Sequence, residues 1–465
     1  MKNQLGGISL ILGLLFFFIL VFFFNSSCTS INGISSFGCR GFLNSTALED
    51  DSATSLKHLA FGLQGSEKTY HFRRYYVESW WRPNELRGYV YLDRAPQGDL
   101  IPWPKHSPPF RVNDNITKLL DEIKPVNPLM PRMVHGILEL FREEHKDLRW
   151  LIMGDDDTIF FVDNLIEVLS KYDHREYYYI GNPSEFVLSN FWYNFNQAFG
   201  GGGIILSYPL AKALVDSMDL CLRMYSNLSA DLMTMACLAD LGVNLTPHKG
   251  LHQMDLRGDV SGFLSAHPKD LALSFHHIDS VDPYFPSMDR ANSLKHLMKA
   301  SNVDQSRLFQ QTICYEKAKN WSFSTSWGYS AHIYEKIMPR SWLTRPIETF
   351  KTWQPSPNPP HYMFNTRNPS SNPCETPHLF FLESVRKTWG GHILTRYSRS
   401  APRNIPACAV TGNHSAEVIS KIDVISPATK RYEIDRSECC DVVRVDNAGK
   451  VEIKLRECRT GEVIA

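Results

Sequence analysis

The sequence predicts an α/β protein, with a mainly parallel, doubly wound sheet in its main domain and a smaller β-rich part after it. Strand-like and helix-like patterns alternate from about Leu56 to Ser280, which is typical of βαβ units. Hydrophobic residues make up 43% of the 465 residues, which excludes a mainly disordered chain. Five of the ten cysteines lie between Cys374 and Cys458, among strand-like stretches. They indicate that disulfides support the smaller part.

Each predicted element rests on a local pattern. Apolar and β-branched runs predict strands, which we expect at Gly88–Leu92, Arg149–Met153, Tyr177–Ile180, Gly203–Leu206, Val442–Val445 and Val451–Leu455. Capping residues and apolar residues at helical spacing predict helices, which we expect at Arg132–His145, after the caps Asp163 and Ser207, and at Ser229–Leu241. Pro209 fits the first turn of the helix after Ser207.

Composition also divides the chain along its length. We expect a cytosolic tail at residues 1–4, a transmembrane signal anchor at 5–24, a stem at 25–55, the main domain at 56–350, a Pro-rich linker at 351–360 and a Cys-rich β module at 361–465. Residues 5–24 carry no charge, and a helix of this length spans a hydrocarbon core of about 30 Å. Lys2 precedes this run and the next charged residue is Arg40, which favours a type II protein with a lumenal body. A cleaved signal peptide is the alternative.

Two further features agree with a lumenal body. N-glycosylation sequons are spread along the chain, at Asn44, Asn115, Asn227, Asn244, Asn320 and Asn413. Cysteines in an oxidising compartment predict disulfides, and we expect the adjacent Cys439 and Cys440 to bond to different partners. Cys28 or Cys39 in the stem could join two copies as a homodimer. Lys plus Arg equals Asp plus Glu at 49 each, which argues against nucleic acid as the main partner.

Three consecutive carboxylates follow a predicted strand. Asp155, Asp156 and Asp157 come directly after the run that ends in Met153 and Gly154. In an open α/β sheet, ligands bind at the carboxyl ends of strands. Like charges this close repel one another, so we expect a cation, and oxygen ligands suit Mg²⁺ or Mn²⁺. Such a cation can offset the charge of a departing diphosphate. The alternative is a solvated acidic turn or a helix cap.

Three more features carry candidate chemistry. The glycines at 200–203 permit close approach of the backbone to a ligand, or serve only the geometry of a turn. Asp231 lies in the first turn of a predicted helix, where the helix dipole favours the ionised form of a general base. An ordinary capping aspartate would occupy the same place. Imidazole from His252, His276 or His277 could complete a metal site that the aspartates begin.

Short motifs in this order resemble a known family. The matching segments are Leu59–Gly62, Trp80–Asn84, Arg87–Gly88, Leu92–Arg94, Arg149–Trp150, Met153–Thr158, Ala198–Gly203, His252–Asp259 and Ser274–His277. They resemble the plant Fringe-related family, once catalogued as a domain of unknown function. That family falls within the wider β-1,3-glycosyltransferase family of Fringe and the core 1 galactosyltransferases. The motifs span about residues 56–290, and the plant pattern continues toward the C-terminus.

The resemblance implies a GT-A (Rossmann-like) fold that uses a UDP-sugar and Mn²⁺ or Mg²⁺. It implies that Asp155 and Asp157 hold the metal, that Asp156 faces the nucleotide sugar and that His252 completes the metal site. The match at His252 requires an insertion, so Asp255, His276 and His277 stay open as alternatives for that ligand. The expected nucleotide contacts are Leu63, Gly65, Asp93, Gly201 and Gly202.

Asp231 matches the catalytic base of the family's Pro-Asp-Asp motif, which is Ser-Ala-Asp here because Ala230 stands in place of the first aspartate. The implied reaction is inverting transfer of a hexose or N-acetylhexosamine from a UDP-sugar to a glycan or glycoprotein hydroxyl, with a β-1,3 linkage. Asp231 would take the acceptor proton as the oxygen attacks C1. The family and the type II layout imply a Golgi membrane. A degenerate transferase acting as a glycan-binding or partner subunit is one alternative, and a metal-dependent phosphohydrolase is another.

Overall fold

The computed structural model describes residues 52–143, 146–408, 415–431, 436–446 and 448–463. Ala53–Ala465 form one compact unit. The predicted tail, the anchor at residues 5–24, Cys28, Cys39 and nearly all of the stem lie outside the described residues. Within the described ranges, no helix has both the length and the apolar character that crossing a bilayer requires.

The first eight strands supply the central sheet. They are β1 (Leu59–Gln64), β2 (Gly88–Leu92), β3 (Phe110–Val112), β4 (Trp150–Asp155), β5 (Ile159–Phe160), β6 (Tyr179–Gly181), β7 (Ile204–Ser207) and β8 (Leu245–Pro247). All except β5 form a seven-stranded sheet in the order β3-β2-β1-β4-β7-β6-β8. Neighbours from β3 to β4 are parallel, as are β6 and β8, whereas β7 runs antiparallel to β4 and β6. The sheet is mainly parallel, as predicted, with β7 as the exception.

The described part of the chain forms eleven α-helices. They are α1 (Glu67–Glu78), α2 (Thr117–Ile123), α3 (Leu129–Arg142), α4 (Val162–Leu169), α5 (Val187–Trp192), α6 (Tyr208–Asp216), α7 (Met218–Tyr225), α8 (Ala230–Asp240), α9 (Ser261–Ala266), α10 (Arg290–Ser301) and α11 (Arg340–Leu343). Alternate residues of β4 enter different cores: Trp150 and Ile152 pack with α1 and α4, and Leu151 and Met153 with α3 and α8. A strand buried on both faces needs a continuous apolar run, which is why the doubly wound arrangement was predictable.

One of the two predicted helix caps is confirmed. Ser207 occupies the N-cap position of α6, and Ser229, which was expected as the first residue of a helix, caps α8. Asp163 does not cap α4, since Phe161 is at the N-cap and Asp163 lies in the first turn. Its carboxylate instead accepts two hydrogen bonds from the guanidinium of Arg82, at 2.8 and 2.9 Å. A long-range ion pair has therefore taken the place of the local cap.

Two small sheets lie at the carboxyl end of the central sheet. Their strands are β5, β9 (Leu251–His252), β10 (Leu256–Gly258), β11 (Ser274–Phe275) and β15 (Phe350–Thr352). The order β5-β11-β9 forms one sheet, and β10 pairs with β15 to form the other. The start of the predicted Pro-rich linker is thus a strand that pairs with residues 256–258.

The second large sheet has eight strands in the order β12-β13-β14-β16-β17-β18-β20-β19. They are β12 (Gln311–Glu316), β13 (Trp321–Ser326), β14 (Ser330–Tyr334), β16 (His378–Lys387), β17 (Ile393–Arg399), β18 (Lys421–Ser426), β19 (Cys439–Val445) and β20 (Lys450–Arg456). Three of these strands precede the linker at 351–360 and five follow it. The linker therefore does not bound this sheet, whose side chains join one continuous core with those of the central sheet. Sequence reasoning placed the start of the β-rich part too late because β12 to β14 contain no cysteine cluster to mark them.

Among the described residues, four disulfides join Cys221 to Cys237, Cys314 to Cys440, Cys374 to Cys408 and Cys439 to Cys458. The expectation that Cys439 and Cys440 bond to different partners is confirmed. A buried ion network lies beside them: Arg307 binds Asp304 at 2.6 Å and Glu438 at 2.8 Å. The chain after the linker is thus held to the chain before it by covalent, ionic and apolar contacts.

Candidate active site

The acidic turn begins at the carboxyl end of β4, as predicted. Asp155 is the last residue of the strand, and the amide of Asp156 donates a hydrogen bond to the carbonyl of Gln64 at 2.8 Å. The Thr158 hydroxyl accepts from the amide of Asp155 and donates to the carbonyl of Gly201, both at 2.8 Å. The Thr158 side chain thereby fixes the acidic turn against the glycine turn that precedes β7.

Asp155, Asp157 and His276 form a cluster in which one ligand atom of each lies within 4.8 Å of the others. His276 Nε2 is 3.4 Å from Asp155 Oδ2 and 3.2 Å from Asp157 Oδ1. Two carboxylate oxygens and one imidazole nitrogen are a donor set that suits a divalent cation such as Mn²⁺. His276 thus holds the position that the sequence had assigned first to His252.

The hydrogen bonding of the cluster also fits a cation. Asp157 Oδ1 and His276 Nδ1 are buried without a hydrogen-bond partner among the described residues, because the 3.2 Å contact to His276 Nε2 lacks hydrogen-bond geometry. Buried polar atoms are normally satisfied, so a carboxylate oxygen without a hydrogen-bond partner here fits a metal ligand. Burial opposes ionisation of Asp157, but His276, Arg73 and His277 together outweigh it and lower the pKa of Asp157 below its usual range.

Asp156 faces the opposite side of the turn. Its Oδ2 accepts from the Thr69 hydroxyl at 2.6 Å, and its Oδ1 accepts from Arg73 at 3.0 Å. Burial raises the pKa of Asp156 to about 6, although Thr69 and Arg73 act against this rise. Arg73 also lies 3.5 Å from Asp157 and 2.9 Å from Asp279. Three carboxylates therefore hold this one guanidinium at the edge of the cluster.

His252 lies outside the cluster, so the expectation that it completes the metal site is corrected. Its Nδ1 lies 2.9 Å from Glu185 Oε1, and its ring stacks on Phe275 with centroids 5.1 Å apart. The other Glu185 oxygen accepts from the amide of Met254 at 2.7 Å. His252 and Glu185 therefore form a buried pair beneath the site.

Asp255 also lies outside the cluster, but it connects to the site through His277. Asp255 Oδ1 is 2.9 Å from His277 Nδ1, and its Oδ2 accepts from the hydroxyls of Ser184 and Ser189. The ring of His277 stacks on Trp353, with centroids 4.3 Å apart and planes at 9°. Trp353, which belongs to the predicted linker, thus packs against His277, the residue that follows His276 of the cluster.

The glycine turn is shaped by the residues behind it. A Cβ at Gly201 would come 2.1 Å from His276 Cε1, and one at Gly202 would come 3.0 Å from the amide of Gln253. The Gly202 amide donates to the Gln253 side chain at 2.8 Å. Both glycines are buried and neither lines the cavity beside the cluster. They were expected to contact a nucleotide, but here they make room for His276.

Asp231 lies in the first turn of α8, as predicted, and its Oδ1 accepts from the amide of Gly200 at 2.9 Å. Burial raises the pKa of Asp231 to about 7, the hydrogen bond from Gly200 lowers it in part, and the charge of Asp155 adds to the rise. A carboxylate whose pKa is near neutrality is well suited to accept a proton. Asp231, Gly200 and Asp155 line one small pocket together, so the candidate base adjoins the acidic cluster.

A cavity of about 540 Å³ opens beside the cluster. It is lined by Gln64, Gly65, Ser66, Thr69, Arg73, Asp93, Asn113, Leu129, Arg132, Met133, the three aspartates, His276 and His277. Gly65 and Asp93 line it, as expected of nucleotide contacts. Leu63 does not, because its side chain is fully buried in the core of the sheet.

Sequence reasoning missed Thr69, Arg73, Asn113 and Arg132 in this lining. They come from α1, from the loop after β3 and from α3, and no pattern in the sequence shows that these three elements meet at one cavity. Helix α1 begins directly after β1, with Ser66 as its cap. Gly65, which was expected to contact a nucleotide, directly precedes this cap.

The chain is similar to proteins of one family over about half of its length and to two curated enzymes over about a third. A sequence model of the family described as "Protein of unknown function, DUF604" matches residues 189–440. A β-1,3-glucosyltransferase of Mus musculus is 33% identical over 154 residues, which cover 32% of this chain and 30% of that protein. The β-1,3-glucosyltransferase of Homo sapiens is 32% identical over 155 residues, with the same two shares. The alignment thus spans less than a third of the length of these curated relatives.

Among solved structures, the crystal structure of mouse xyloside xylosyltransferase 1 in its apo form resembles part of this chain. The identity is 10% and the TM-score is 0.26. The match covers 48% of this chain and 98% of that chain.

Proposed function

The chain belongs to the family of proteins of unknown function called DUF604, and we propose that it is a metal-dependent, inverting glycosyltransferase of the GT-A type. The observation that carries the proposal is the cluster of Asp155, Asp157 and His276 beside a cavity that a nucleotide sugar could fill. The partial similarity to two β-1,3-glucosyltransferases supports the reaction class. We propose a UDP-sugar as the donor, a glycan or glycoprotein hydroxyl as the acceptor and a β-1,3 linkage as the product.

In this proposal Asp155, Asp157 and His276 hold Mn²⁺ or Mg²⁺. A cation bound there would supply positive charge to the diphosphate of the leaving nucleotide. Asp156, Thr69 and Arg73 form the neighbouring wall of the cavity, where Arg73 offers a further positive charge. These residues would bind and orient the donor.

Asp231 would accept the proton of the attacking hydroxyl. The hydrogen bond from Gly200 engages its Oδ1 and holds the carboxylate in place, and no described residue donates a hydrogen bond to its Oδ2. That oxygen is therefore available to an acceptor hydroxyl. As the proton moves to Asp231, the acceptor oxygen attacks C1 and the UDP oxygen leaves from the opposite face, which inverts the anomeric centre.

We also propose a cellular location and a membrane topology for the enzyme. Residues 5–24 would anchor it in the Golgi membrane as a type II protein. The four disulfides and the sequons support a lumenal body. Pairing through a stem cysteine would give a homodimer.

Ala230 favours a second candidate function. It stands where the related motif has an aspartate, and its side chain packs in the core beside α3. A chain that has lost part of its catalytic motif could act as a glycan-binding or partner subunit. Such a subunit would bind ligand without transferring sugar.

The test is calorimetric titration of UDP into residues 52–465 made in a secretory host, with and without Mn²⁺. We expect wild type to bind UDP in a Mn²⁺-dependent manner and Asp157→Ala to lose this binding. Asp219→Ala, on the exposed face of α7, is the matched control and should bind as wild type does. If folded wild type binds no UDP with any metal, the transferase proposal is wrong and the binding subunit is favoured. Release of phosphate from small esters without preference for UDP would indicate a phosphohydrolase.

A further inference from the structure

Four exposed aromatic side chains lie in one short segment that ends a few residues before the glycine turn of the candidate site. They are Phe191, Trp192, Tyr193 and Phe195, which are 69%, 55%, 47% and 48% exposed. We call these four residues the aromatic patch. Isolated exposed apolar residues are common, but a contiguous group usually marks an interaction site.

The segment that carries the aromatic patch has no charged side chain. No charged residue lies between Glu185 and Lys212, and the side chains interspersed with the patch aromatics include the amides Asn194 and Asn196. Peripheral membrane segments pair apolar residues with Lys or Arg, and none is present in this segment. Aromatic rings with nearby amides suit the faces and hydroxyls of sugar rings, because the rings cover the C–H faces and the amides exchange hydrogen bonds with hydroxyls.

Contacts at both ends of the aromatic patch connect it to residues that surround the candidate site. At its start, the Ser189 hydroxyl donates to Asp255 at 3.0 Å, and the amide of Val187 donates to the carbonyl of His361 at 3.0 Å. At its end, the ring of Tyr193 packs edge-on against Phe199, with centroids 6.1 Å apart. Phe199 directly precedes Gly200, whose amide binds Asp231. The patch therefore has a defined position relative to the candidate base.

The chain limits how far the patch can lie from Gly200, the residue that binds that base. Phe195 and Gly200 are five residues apart, so their Cα atoms are separated by no more than about 18 Å. An acceptor whose terminal hydroxyl reaches Asp231 must leave the site along nearby surface. The aromatic patch offers the next sugar rings of such an acceptor a surface on which to stack.

We propose that the aromatic patch is an acceptor subsite that binds a neutral oligosaccharide. The name "acceptor" rests on the proposed transferase function, whereas the binding of a neutral glycan does not. Glycan rings would stack on Trp192 and Phe195 while the terminal sugar lies toward Asp231. The patch would therefore select for chain length in the acceptor.

The test is titration of three neutral hexasaccharides into residues 52–465: β-1,3-linked glucose, β-1,4-linked glucose and β-1,4-linked xylose. The variants are Trp192→Ala/Phe195→Ala and, as the control, Trp389→Ala. Trp389 is fully exposed on the hairpin between β16 and β17, within the second large sheet. We expect wild type and the control to bind at least one hexasaccharide, and the double variant to bind it about tenfold or more weakly.

A UDP titration with Mn²⁺ on the same samples separates this proposal from the proposed function. Glycan binding that is lost only in the double variant supports the subsite, whether or not UDP binds. Unchanged glycan binding in the double variant overturns it, as does a lack of binding by every neutral hexasaccharide. Concentration-dependent self-association or vesicle binding that the double variant abolishes, without glycan binding, would assign the patch to a second copy or to a membrane and would also overturn the proposal.

Discussion

His276 Nε2 lies 3.2 Å from Asp157 Oδ1, although the two residues are far apart in the sequence. The contact depends on two short strands, because β5 follows the acidic turn and pairs with β11 just before His276. This pairing completes the cluster with a nitrogen ligand. The position of His276, rather than that of His252, therefore decides which histidine we expect to affect metal binding.

We predict that His276→Ala abolishes Mn²⁺ binding and that His252→Ala does not. Losing a ligand should cost more affinity than the roughly 10–100-fold that loss of an outer partner typically costs. His252→Ala should instead lower the free energy of unfolding, because it leaves Glu185 buried without this partner. Manganese titration by electron paramagnetic resonance, together with urea unfolding, measures both effects. Equal loss of Mn²⁺ affinity in the two variants would contradict the assignment.

We predict that Gly201→Ala weakens Mn²⁺ binding by about tenfold or more, since ligand orientation controls metal affinity. The new Cβ would overlap the ring of His276 at 2.1 Å and displace it. Gly202→Ala is the matched control, because its Cβ would meet the backbone of Gln253 at 3.0 Å and leaves His276 untouched. If the two alanine variants bind Mn²⁺ equally well, the glycine turn does not position His276.

We predict that transfer activity rises with pH through about 7, because Asp231 must be ionised to accept a proton and its pKa is about 7. Asp231→Asn should retain UDP binding and lose transfer by roughly 10²–10⁴-fold. A pH series of initial rates, with UDP affinity measured in parallel, tests this prediction. Near-normal transfer by Asp231→Asn would remove Asp231 from the role of base.

The same raised pKa predicts a pH-dependent stability. The folded state binds the proton of Asp231 more tightly than the unfolded chain, whose carboxyl has the ordinary value of 3.8. Its stabilising contribution is therefore complete below about pH 4 and is lost as the pH rises through about 7. The free energy of unfolding of wild type relative to Asp231→Asn should fall over this window, and a flat difference would contradict the raised pKa.

We predict that Glu438→Gln lowers the free energy of unfolding by about 3 kcal/mol, because it removes one of the two carboxylates that pair with the buried Arg307. Asp216→Asn breaks the exposed pair between Asp216 and Lys212 and should cost less than about 1 kcal/mol. Urea unfolding of both variants provides the comparison. A similar small cost in both would mean that the network around Arg307 adds little to stability.

The acidic turn was predictable because its signal is local. An apolar strand buried on both faces ends in carboxylates, and both facts are visible in consecutive residues from Trp150 to Asp157. Asp231 was predictable for the same reason, since a capping serine and an apolar helix surround it. In each case one short segment of sequence determines both the element and the position of the side chain.

The choice between His252 and His276 was not local. β9 and β11 are parallel neighbours in which Phe275 pairs with His252, so these two side chains share a face and stack together. Successive residues of a strand point to opposite faces. His276 therefore points away from that core and toward Asp157. Only the register between two-residue strands distinguishes the histidines, and no periodicity in the sequence encodes it.

Strand β16 pairs with β14, although the linker separates them in the sequence. The first pair is Ser330 with Phe381 and the last is Ile333 with His378. A chain ended at the linker would leave the backbone groups of β14 without their partner strand, and a bare edge of this kind templates aggregation. Expression of the chain up to the linker alone should therefore yield insoluble protein rather than a minimal enzyme. Any shortened version for crystallisation or assay has to retain the strands through Arg456.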